Sequence, residues 1–266
     1  MLTITTLASG SSGNALLVSG EDTHILIDAG ISCRRITTAL NELQVDPVSL
    51  SAVLITHEHT DHVCGLATMV KKLPVPIYAS VGTAHQLTHR MGLPEERIHP
   101  FTAGACFNIG SLHCTSFSTP HDAADSVGYT VELDGSRLAV ATDLGYVTDT
   151  VRRAVLGCHL FVLESNHDID WLRSGPYPYS LKQRILGDRG HLCNEAGAEL
   201  ALQAAQAGAH TIILAHLSSE NNTPARAHDV CSHHLSANGF HNIHLAVAPR
   251  SQSGPTYAVT KEAPVC

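Results

Sequence analysis

The chain has 266 residues, of which 44% are hydrophobic and 15% are charged, so it can bury a sizeable core and is not mainly disordered. No apolar run approaches the ~18–20 residues of a membrane span, and the N-terminal segment lacks the charged and apolar regions of a secretory signal. We therefore predict a cytoplasmic protein without a membrane partner. The net charge of −8 argues against a general nucleic-acid coat protein, but it does not exclude a nuclease whose basic residues cluster.

The usage of histidine and cysteine points to metal chemistry in a reducing compartment. The 19 histidines outnumber the 16 lysines and arginines together, and imidazole is the commonest metal ligand. The 8 cysteines are scattered without a Cys-x-x-Cys pair, which predicts buried, reduced thiols rather than a disulfide framework. They are Cys33, Cys64, Cys106, Cys114, Cys158, Cys193, Cys231 and Cys266.

The first part of the chain is predicted to alternate short strands with helices, separated by turns rich in Gly and Ser. The predicted strands are 4–7, 15–19, 24–28, 52–56 and 77–79, and the predicted helices are 31–43, 63–72 and 83–91. The strand 52–56 is apolar up to Ile55 and leads through Thr56 into His57. We therefore expect His57 to lie at the end of a buried strand.

A second block of strands, again followed by helices, occupies the rest of the chain. Its predicted strands are 112–119, 127–133, 137–142, 159–164, 211–215, 243–247 and 256–260. Its predicted helices are 147–156, several in the stretch up to residue 207, and 224–236. Two strand-rich blocks, each closed by helices, predict an α/β (α+β) protein with two mixed sheets packed together and helices outside. We expect one domain over residues 1–266, because no linker or repeat interrupts the chain.

The most informative motif is the segment HEHTDH, which begins at His57. Three imidazoles and a carboxylate within six residues suit Zn²⁺, with Mn²⁺ or Fe²⁺ as other occupants. In an extended segment His57 and His59 point the same way, so both can bind one ion. Asp61 and His62 follow the turn and can serve a second ion. The alternative is a solvated histidine-rich loop.

Three further candidate ligands come at or just after the ends of predicted strands. They are His121, Asp143 and His216, and the carboxylate of Asp143 could bridge two ions. Each residue alone is more typical of an ordinary surface position in so histidine-rich a chain. Their joint occurrence at several buried strand ends favours a binuclear site instead.

These residues resemble the five motifs of the metallo-β-lactamase superfamily, in order and over nearly the whole chain. The resemblance implies a four-layer αββα sandwich with a metal site at one edge. It implies that His57, His59 and His121 hold one divalent ion, that Asp61, His62 and His216 hold the other, and that Asp143 bridges them. Asp28, in the segment IDAG, would orient the ligand loop through hydrogen bonds, or would be a plain turn residue.

Several local strings resemble a narrower group, the bacterial YycJ/WalJ metallohydrolases. These strings are ASGSSGN from Ala8, LESNHD from Leu163, GHLCN from Gly190 and AHLS from Ala215. Two other branches of the superfamily are disfavoured. The main class of zinc β-lactamases has cysteine at the position of Asp143. The β-CASP nucleases carry a large insert before the last histidine motif, and the stretch between Asp143 and His216 is too short to contain it. The resemblance implies a 5′–3′ exonuclease acting on DNA. The group usually has serine where this chain has Cys193. The serine hydroxyl is therefore either dispensable, or it is a substrate contact that this chain has lost.

The segment 171–191 offers candidate contacts to a nucleic-acid backbone. It contains Lys182, Arg184 and Arg189 as candidate phosphate ligands, and it also holds the only tryptophan, Trp171. Basic residues interleaved with aromatic rings suit a strand whose bases stack on those rings. The alternative is a helix whose solvated face is basic.

Four more residues are candidates for catalysis or substrate binding. His191 is expected to stabilise charge on the phosphate or to protonate the leaving oxygen. Asn194 would either cap the following helix or face a phosphate at the helix N-terminus. Ser11 and Asn14 lie in a tight turn whose amides could hold an oxyanion, although turn geometry alone also selects such residues.

The predicted reaction is phosphodiester hydrolysis with two Zn²⁺ or Mn²⁺ ions per chain. The ions would lower the pKa of a bridging water, and the resulting hydroxide would attack phosphorus while Asp61 orients it. Two other functions stay open. One is an ester or thioester hydrolase of the glyoxalase-II type, which the acidic net charge favours, and the other is a metal-binding interaction module without catalysis.

Overall fold

The computed structural model describes residues 1–261, and within them the chain forms two seven-stranded mixed sheets. Strands and helices are numbered in chain order. The first sheet contains β1 (Leu2–Ala8), β2 (Ala15–Gly20), β3 (Thr23–Ile27), β4 (Leu50–Leu54), β5 (Ile77–Ser80), β6 (Ile98–Phe101) and β14 (Thr256–Ala258). The second contains β7 (Cys106–Ile109), β8 (Leu112–Ser118), β9 (Val127–Leu133), β10 (Ser136–Ala141), β11 (Leu160–Glu164), β12 (Thr211–Ala215) and β13 (His244–Val247).

Both sheets combine antiparallel strand pairs at one side with parallel pairs at the other. In the first, the order is β14-β1-β2-β3-β4-β5-β6, with antiparallel pairing up to β3 and parallel pairing from β3 onward. In the second, the order is β13-β12-β11-β10-β9-β8-β7, with antiparallel pairing from β7 to β10 and parallel pairing from β10 to β13. Ligand sites commonly form beyond the carboxyl ends of parallel strands. Each sheet therefore offers a comparable place for functional side chains.

Helices cover the outer face of each sheet. They are α1 (Cys33–Glu42), α2 (Thr60–Val63), α3 (Leu66–Lys72), α4 (Val81–His89), α5 (Asp149–Val155), α6 (Ile169–Ser174), α7 (Tyr179–Leu186), α8 (Asn194–Gln206) and α9 (Pro224–Ala237). One apolar cluster fills the space between the two sheets. A second joins the first sheet to α1, α3 and α4, and a third joins the second sheet to α5, α8 and α9. This is the predicted αββα sandwich, which the structure confirms.

The helix predicted over 63–72 is two helices, α2 and α3, separated at Gly65. A β-carbon on Gly65 would lie 2.1 Å from the carbonyl oxygen of Ile31, so this backbone approaches its neighbour more closely than any other residue permits. The approach places the short α2, with Asp61 and His62, against the turn that follows β3. Asp61 and His62 are thus helical rather than in an irregular loop.

Two further expectations can be compared with the structure. Seven cysteines are free thiols within residues 1–261, and Cys266 lies outside the described residues. The expectation of burial was wrong for Cys64 and Cys106, which are exposed, and Cys193 is only partly buried. Across that same part of the chain, no helix has both the length and the apolar character required to cross a bilayer.

Candidate metal centre

The seven side chains predicted as metal ligands meet at one end of the sandwich. His57 follows β4, Asp61 and His62 lie in α2, and His121, Asp143 and His216 follow β8, β10 and β12 of the second sheet. Contacts across the gap join the sheets: His62 Nε2 of the first half lies 3.4 Å from Asp143 Oδ2 of the second. The site therefore exists only where both sheets are in place.

Within residues 1–261, four groups of side chains have ligand geometry. Two of them contain Asp143, together with either His57 and His62 or Glu164, His191 and His216. The other two are trios that share no residue. In the first, candidate ligand atoms of His57, His59 and His121 lie within 4.8 Å of one another, with His59 Nδ1 and His121 Nε2 3.2 Å apart. The second consists of Asp61, His62 and His216. In it, Asp61 Oδ2 lies 3.5 Å from His62 Nε2 and 3.4 Å from His216 Nε2. These are the two trios that the family resemblance implied.

Asp143 lies between the two groups. Its Oδ2 is 3.4 Å from His62 Nε2, and its Oδ1 is 3.7 Å from His121 Nε2 and 3.6 Å from His216 Nδ1, so the carboxylate lies close to side chains of both trios. The residue is 2% exposed. A buried carboxylate with this placement has the geometry of a bridge.

Four of the five candidate histidine ligands have Nδ1 next to an oxygen atom. His62 Nδ1 donates to Asp28 Oδ2 at 2.8 Å, and His216 Nδ1 donates to Glu164 Oε1 at 2.8 Å. His121 Nδ1 donates to the carbonyl oxygen of Gly190 at 3.1 Å, and His57 Nδ1 lies 3.0 Å from Thr56 Oγ1. A proton on Nδ1 leaves the lone pair on Nε2, which is the arrangement that binds a cation.

Asp28 has the orienting position that the sequence suggested. Besides His62, its carboxylate accepts hydrogen bonds from the backbone N–H of Thr56 at 2.8 Å and from Thr56 Oγ1 at 2.9 Å. The residue is 2% exposed and follows β3 directly. It therefore links the end of β3 to the start of the histidine segment.

Glu164 is the most important residue that the sequence interpretation overlooked. It ends β11, is fully buried, and accepts four hydrogen bonds. Oε1 accepts from His191 Nδ1 at 2.9 Å and from His216 Nδ1, while Oε2 accepts from the backbone N–H groups of Leu144 and Leu192, both at 2.9 Å. A carboxylate at the end of a buried strand was the signal that identified Asp143, and the same signal could have identified Glu164.

Backbone conformation at three of these positions is unusual. Asp28, Asp143 and His216 have φ angles of 62°, 60° and 56°, in the left-handed region that L-residues rarely occupy. Each follows a strand end, so the turn redirects the side chain from the sheet into the site. Such conformations cost about 1–3 kcal/mol and cluster at functional sites.

The ionisable side chains of the cluster strongly shift one another's pKa values. Burial opposes protonation of His216, but the carboxylates of Asp143, Asp61 and Glu164 outweigh it and raise the pKa of this histidine to about 10. Burial lowers the pKa of His57 well below its ordinary value, and the neighbouring His62 lowers it further. Burial would raise the pKa of Asp143, but the surrounding histidines hold it well below its usual range. A cation entering this cluster displaces protons from the histidines.

At the centre, two buried side-chain atoms lack a hydrogen-bond partner among residues 1–261. They are His57 Nε2 and Asp143 Oδ2. Leaving a buried polar atom unsatisfied costs about 1–3 kcal/mol. A divalent cation held by imidazole nitrogens and carboxylate oxygens would satisfy both atoms, and this donor set suits Zn²⁺ and Mn²⁺. The residues present therefore fit a divalent metal ion.

The predicted catalytic and turn residues lie around the metal ligands. His191 is partly buried, with Nδ1 on Glu164, and its ring centroid lies 5.3 Å from that of His216. Asn14 is buried, accepts a hydrogen bond from the N–H of Gly10 and places its Nδ2 3.1 Å from His62 Nε2. Ser11 is exposed in the same turn. Asn14 thus supports the ligand loop, while Ser11 faces solvent.

Asn194 does not cap helix α8, as one reading of the sequence expected. The N-cap is Cys193, whose Sγ accepts from the N–H of Ala196 at 3.4 Å. The side chain of Asn194 is 1% exposed and is bound to Ser165 and Asn222. Its buried hydrogen bonds leave no surface for a substrate phosphate.

The basic residues of the segment 171–191 have different surroundings. Arg184 forms a two-point ion pair with Asp122, with distances of 2.5 and 3.1 Å. Asp122, which the sequence interpretation did not single out, places Oδ1 3.4 Å from His121 Nε2, so Arg184 lies at the edge of the centre. Arg189 is exposed, and its carbonyl oxygen accepts from the N–H of Asp122. Lys182 instead donates to the carbonyl oxygen of Arg173 at 2.7 Å.

The chain is similar to known proteins in both sequence and fold. Residues 23–217 match the family described as "Beta-lactamase superfamily domain". The chain is 37% identical to the exodeoxyribonuclease YycJ of Bacillus anthracis, covering 88% of this chain and 89% of that protein. It is 38% identical to the exodeoxyribonuclease WalJ of Streptococcus pneumoniae (strain D39), covering 84% of each. The metallo-β-lactamase fold protein YhfI from Bacillus subtilis has a TM-score of 0.72 at 16% identity, over 97% of this chain and 99% of its own.

Proposed function

Because the chain belongs to the β-lactamase superfamily of metal-dependent hydrolases and, within it, to the YycJ/WalJ group, we propose that it is a 5′–3′ exonuclease acting on DNA. It would hold two divalent ions, Zn²⁺ or Mn²⁺, and hydrolyse phosphodiester bonds. The observation that carries the proposal is the placement of Asp143 between two trios of ligands. Both relatives are named exodeoxyribonucleases, which supports DNA as the substrate.

The metal ions would supply charge stabilisation to the phosphate oxygens and a nucleophile at neutral pH. His57, His59 and His121 would hold one ion, Asp61, His62 and His216 the other, and Asp143 would contact both. Within this set Asp143 and His57 are almost wholly buried, whereas the Asp61 side chain is 25% exposed. We assign Asp61 the role of orienting the attacking water, because its carboxylate reaches solvent while remaining among the ligands.

We assign to His191 the stabilisation of charge at the leaving group. Its Nδ1 donates to Glu164, so Nε2 is the ring nitrogen left for substrate. The His191 side chain is 19% exposed, which allows contact with a phosphate that approaches the ligands. A histidine fixed in one orientation can donate to a phosphate oxygen or to the departing oxygen.

Arg184 and Arg189 are the basic residues best placed to bind the substrate backbone. Arg184 pairs with Asp122 at the edge of the centre, and a substrate phosphate can take the place of that carboxylate. A guanidinium binds either group through the same two-point geometry. Lys182 is tied to the end of α6, so we expect it to contribute less than the two arginines to binding.

The test is degradation of a DNA duplex that carries a 5′-phosphate and a 3′-label, with Mn²⁺ or Zn²⁺ supplied. We expect stepwise, metal-dependent loss of nucleotides from the 5′ end by the wild type. Asp61→Ala should abolish it, whereas the control Glu96→Ala, at an exposed position in the turn before β6, should not. No degradation by a protein shown to carry two ions would reject the nuclease, and turnover of an acyl-thioester by the same preparation would then identify a small-molecule hydrolase.

A further inference from the structure

A cavity of about 430 Å³ opens next to the centre, on the side of the second sheet. It lies between α8, the segment 145–147 and the two ends of the stretch from α6 to α7. Its walls include the aliphatic side chains of Val147, Ile169, Leu186, Leu192, Ala196 and Leu200, together with the polar side chains of Arg152, Glu199 and Gln203. Pockets of this size and character typically hold a small organic group.

His167 lines this cavity and is not explained by the metal centre. The residue is 1% exposed, and neither Nδ1 nor Nε2 has a hydrogen-bond partner among residues 1–261. Burial lowers its pKa to about 4, so the ring is neutral and offers one donor and one acceptor. A buried polar group without partners is costly, so an ordered water or a ligand completes it.

The cavity and the catalytic residues are continuous. His191 lines the cavity while its Nδ1 binds Glu164, which also holds His216. Gly145 and Tyr146 line it as well, directly after the Asp143–Leu144 turn, and Tyr146 is 49% exposed. A molecule bound at the metal ligands can therefore extend a group into this cavity.

We propose that this cavity receives a nucleobase of the DNA strand, from one of the two nucleotides at the 5′ end, with His167 bound to the edge of the base. The inference rests on the proposed exonuclease function and adds how the enzyme holds its substrate. The aliphatic walls and Tyr146 suit the two faces of a flat ring, as in proteins that bind an unpaired base. An alkyl or acyl chain would fill the same space but would leave both nitrogens of His167 unsatisfied. Every base has donors or acceptors on its edge, so the contact does not require a particular sequence.

The experiment removes the base and keeps the backbone. Duplexes with an abasic tetrahydrofuran residue at the first or the second position from the 5′ end are compared with an intact duplex. Wild-type protein should lose about 10-fold or more in kcat/KM on one of the two abasic substrates, as expected when a base that stacks in its site is removed. Equal rates on all three substrates would overturn the proposal, whereas failure to cleave the intact duplex would reject the exonuclease itself.

Two variants test the cavity directly. Ala196→Leu fills it, and His167→Phe keeps a ring while removing both nitrogens. Both variants should cleave intact DNA about as slowly as the wild type cleaves the sensitive abasic substrate. On the abasic substrate the variants should be no slower than the wild type, because the substitution and the missing base remove the same interaction. The control is Gln206→Leu, at an exposed position on the same helix outside the cavity, which should behave as wild type. Variants that still discriminate against the abasic strand would contradict the assignment.

Binding without turnover gives an independent measurement. In Asp61→Ala protein, a duplex with 2-aminopurine at the sensitive position should change fluorescence when bound, because the base passes from the stack of the duplex into the cavity. Adding Ala196→Leu to that background should remove the change while DNA binding, measured by anisotropy, persists. A fluorescence change that is independent of Ala196→Leu would place the base elsewhere and overturn the proposal.

Discussion

The two halves of the metal centre are held by two buried carboxylates in different ways. In the first half, formed by the first sheet and α2, Asp28 binds Thr56 and His62, which are close in sequence. In the second half, formed by strand ends of the second sheet, Glu164 accepts hydrogen bonds from three separate parts of the chain. Both halves therefore require a completed sheet, but Asp28 binds one segment of the chain, whereas Glu164 binds three.

The difference predicts how each half fails. Asp28 fixes a single ligand, His62, so a change there should affect metal binding alone. Glu164 fixes the ligand His216 together with His191, which we assign to the leaving group, so a change there should affect both metal binding and catalysis. Asp143 contacts both halves and should be the most sensitive position of all.

The largest effect is expected for Asp143→Asn, which removes the shared anion without changing the shape of the side chain. Activity on the 5′-phosphorylated duplex should fall by more than about 100-fold, beyond what loss of an orienting partner usually causes. Metal content, measured by mass spectrometry of the dialysed protein, should fall as well. Asp134→Asn is the control, because Asp134 also has a positive φ, 51°, but lies exposed in the β9–β10 turn. Full metal content and activity in Asp143→Asn would contradict the bridging role.

A paired comparison of Glu164→Gln and Asp28→Asn should separate the two halves. Each substitution places an amide N–H₂ where the carboxylate accepted hydrogen bonds, and each should weaken metal binding about 10–100-fold. With metal supplied in excess, Asp28→Asn should regain most of its kcat, whereas Glu164→Gln should stay slow because His191 is misplaced. Metal titrations followed by turnover measurements test this. Equal recovery of kcat in both variants would show that Glu164 acts on the metal alone.

A smaller effect is expected in the pH dependence of stability without metal. The pKa of His216 is raised in the folded state to about 10, above its unfolded value of ~6.5. Its protonated form therefore stabilises the fold fully below about pH 6.5, and that contribution is lost as the pH rises through about 10. In urea unfolding of chelator-treated protein, the stability difference between wild type and His216→Gln should narrow from pH 6 to pH 10. A difference that is constant with pH would contradict the raised pKa.

The smallest effect concerns the start of α8, which leads from the second half of the site. Cys193 caps this helix through sulfur, a weak acceptor, where serine is among the preferred caps. Cys193→Ser should raise the free energy of unfolding by about 0.5–1 kcal/mol, measured in urea with activity unchanged. The matched control, Cys231→Ser, places a hydroxyl at a core position that is 1% exposed and should destabilise the protein. A loss of stability in Cys193→Ser would show that the packing of the sulfur contributes more to stability than a stronger helix cap does.

Much of the fold could be predicted because local pattern and tertiary structure agree. The apolar strands and the helices after them appear close to their predicted positions, since each buries the face that its sequence makes apolar. The break at Gly65 was missed because it depends on the carbonyl of Ile31, a residue distant in sequence. The expected cap at Asn194 was wrong by one residue for a similar reason: the network of Ser165 and Asn222 draws that side chain into the core.

The candidate site could be predicted from the sequence where the type of residue alone indicates the chemistry. The HEHTDH segment and the strand-end residues His121, Asp143 and His216 have the side chains that bind divalent metals, and the structure brings them together. Glu164, Asp122 and His167 were not singled out, because a single carboxylate or imidazole is ordinary until its neighbours are known. The assignment of the seven ligands stays a prediction, which the metal-content measurements above address.

The sequence by itself determined the order of strands and helices and the chemical types of the ligands, because hydrophobic period and side-chain chemistry are local properties. Only the tertiary structure decided which polar groups meet. Glu164 is bound to His191 and His216 because β11 and β12 are paired in one sheet, and Asp143 stands between two trios because the sheets face each other. The cavity beside His167 likewise arises only where α8 packs near the segment 145–147. Contacts between distant residues are set by packing, and no local pattern in the chain encodes them.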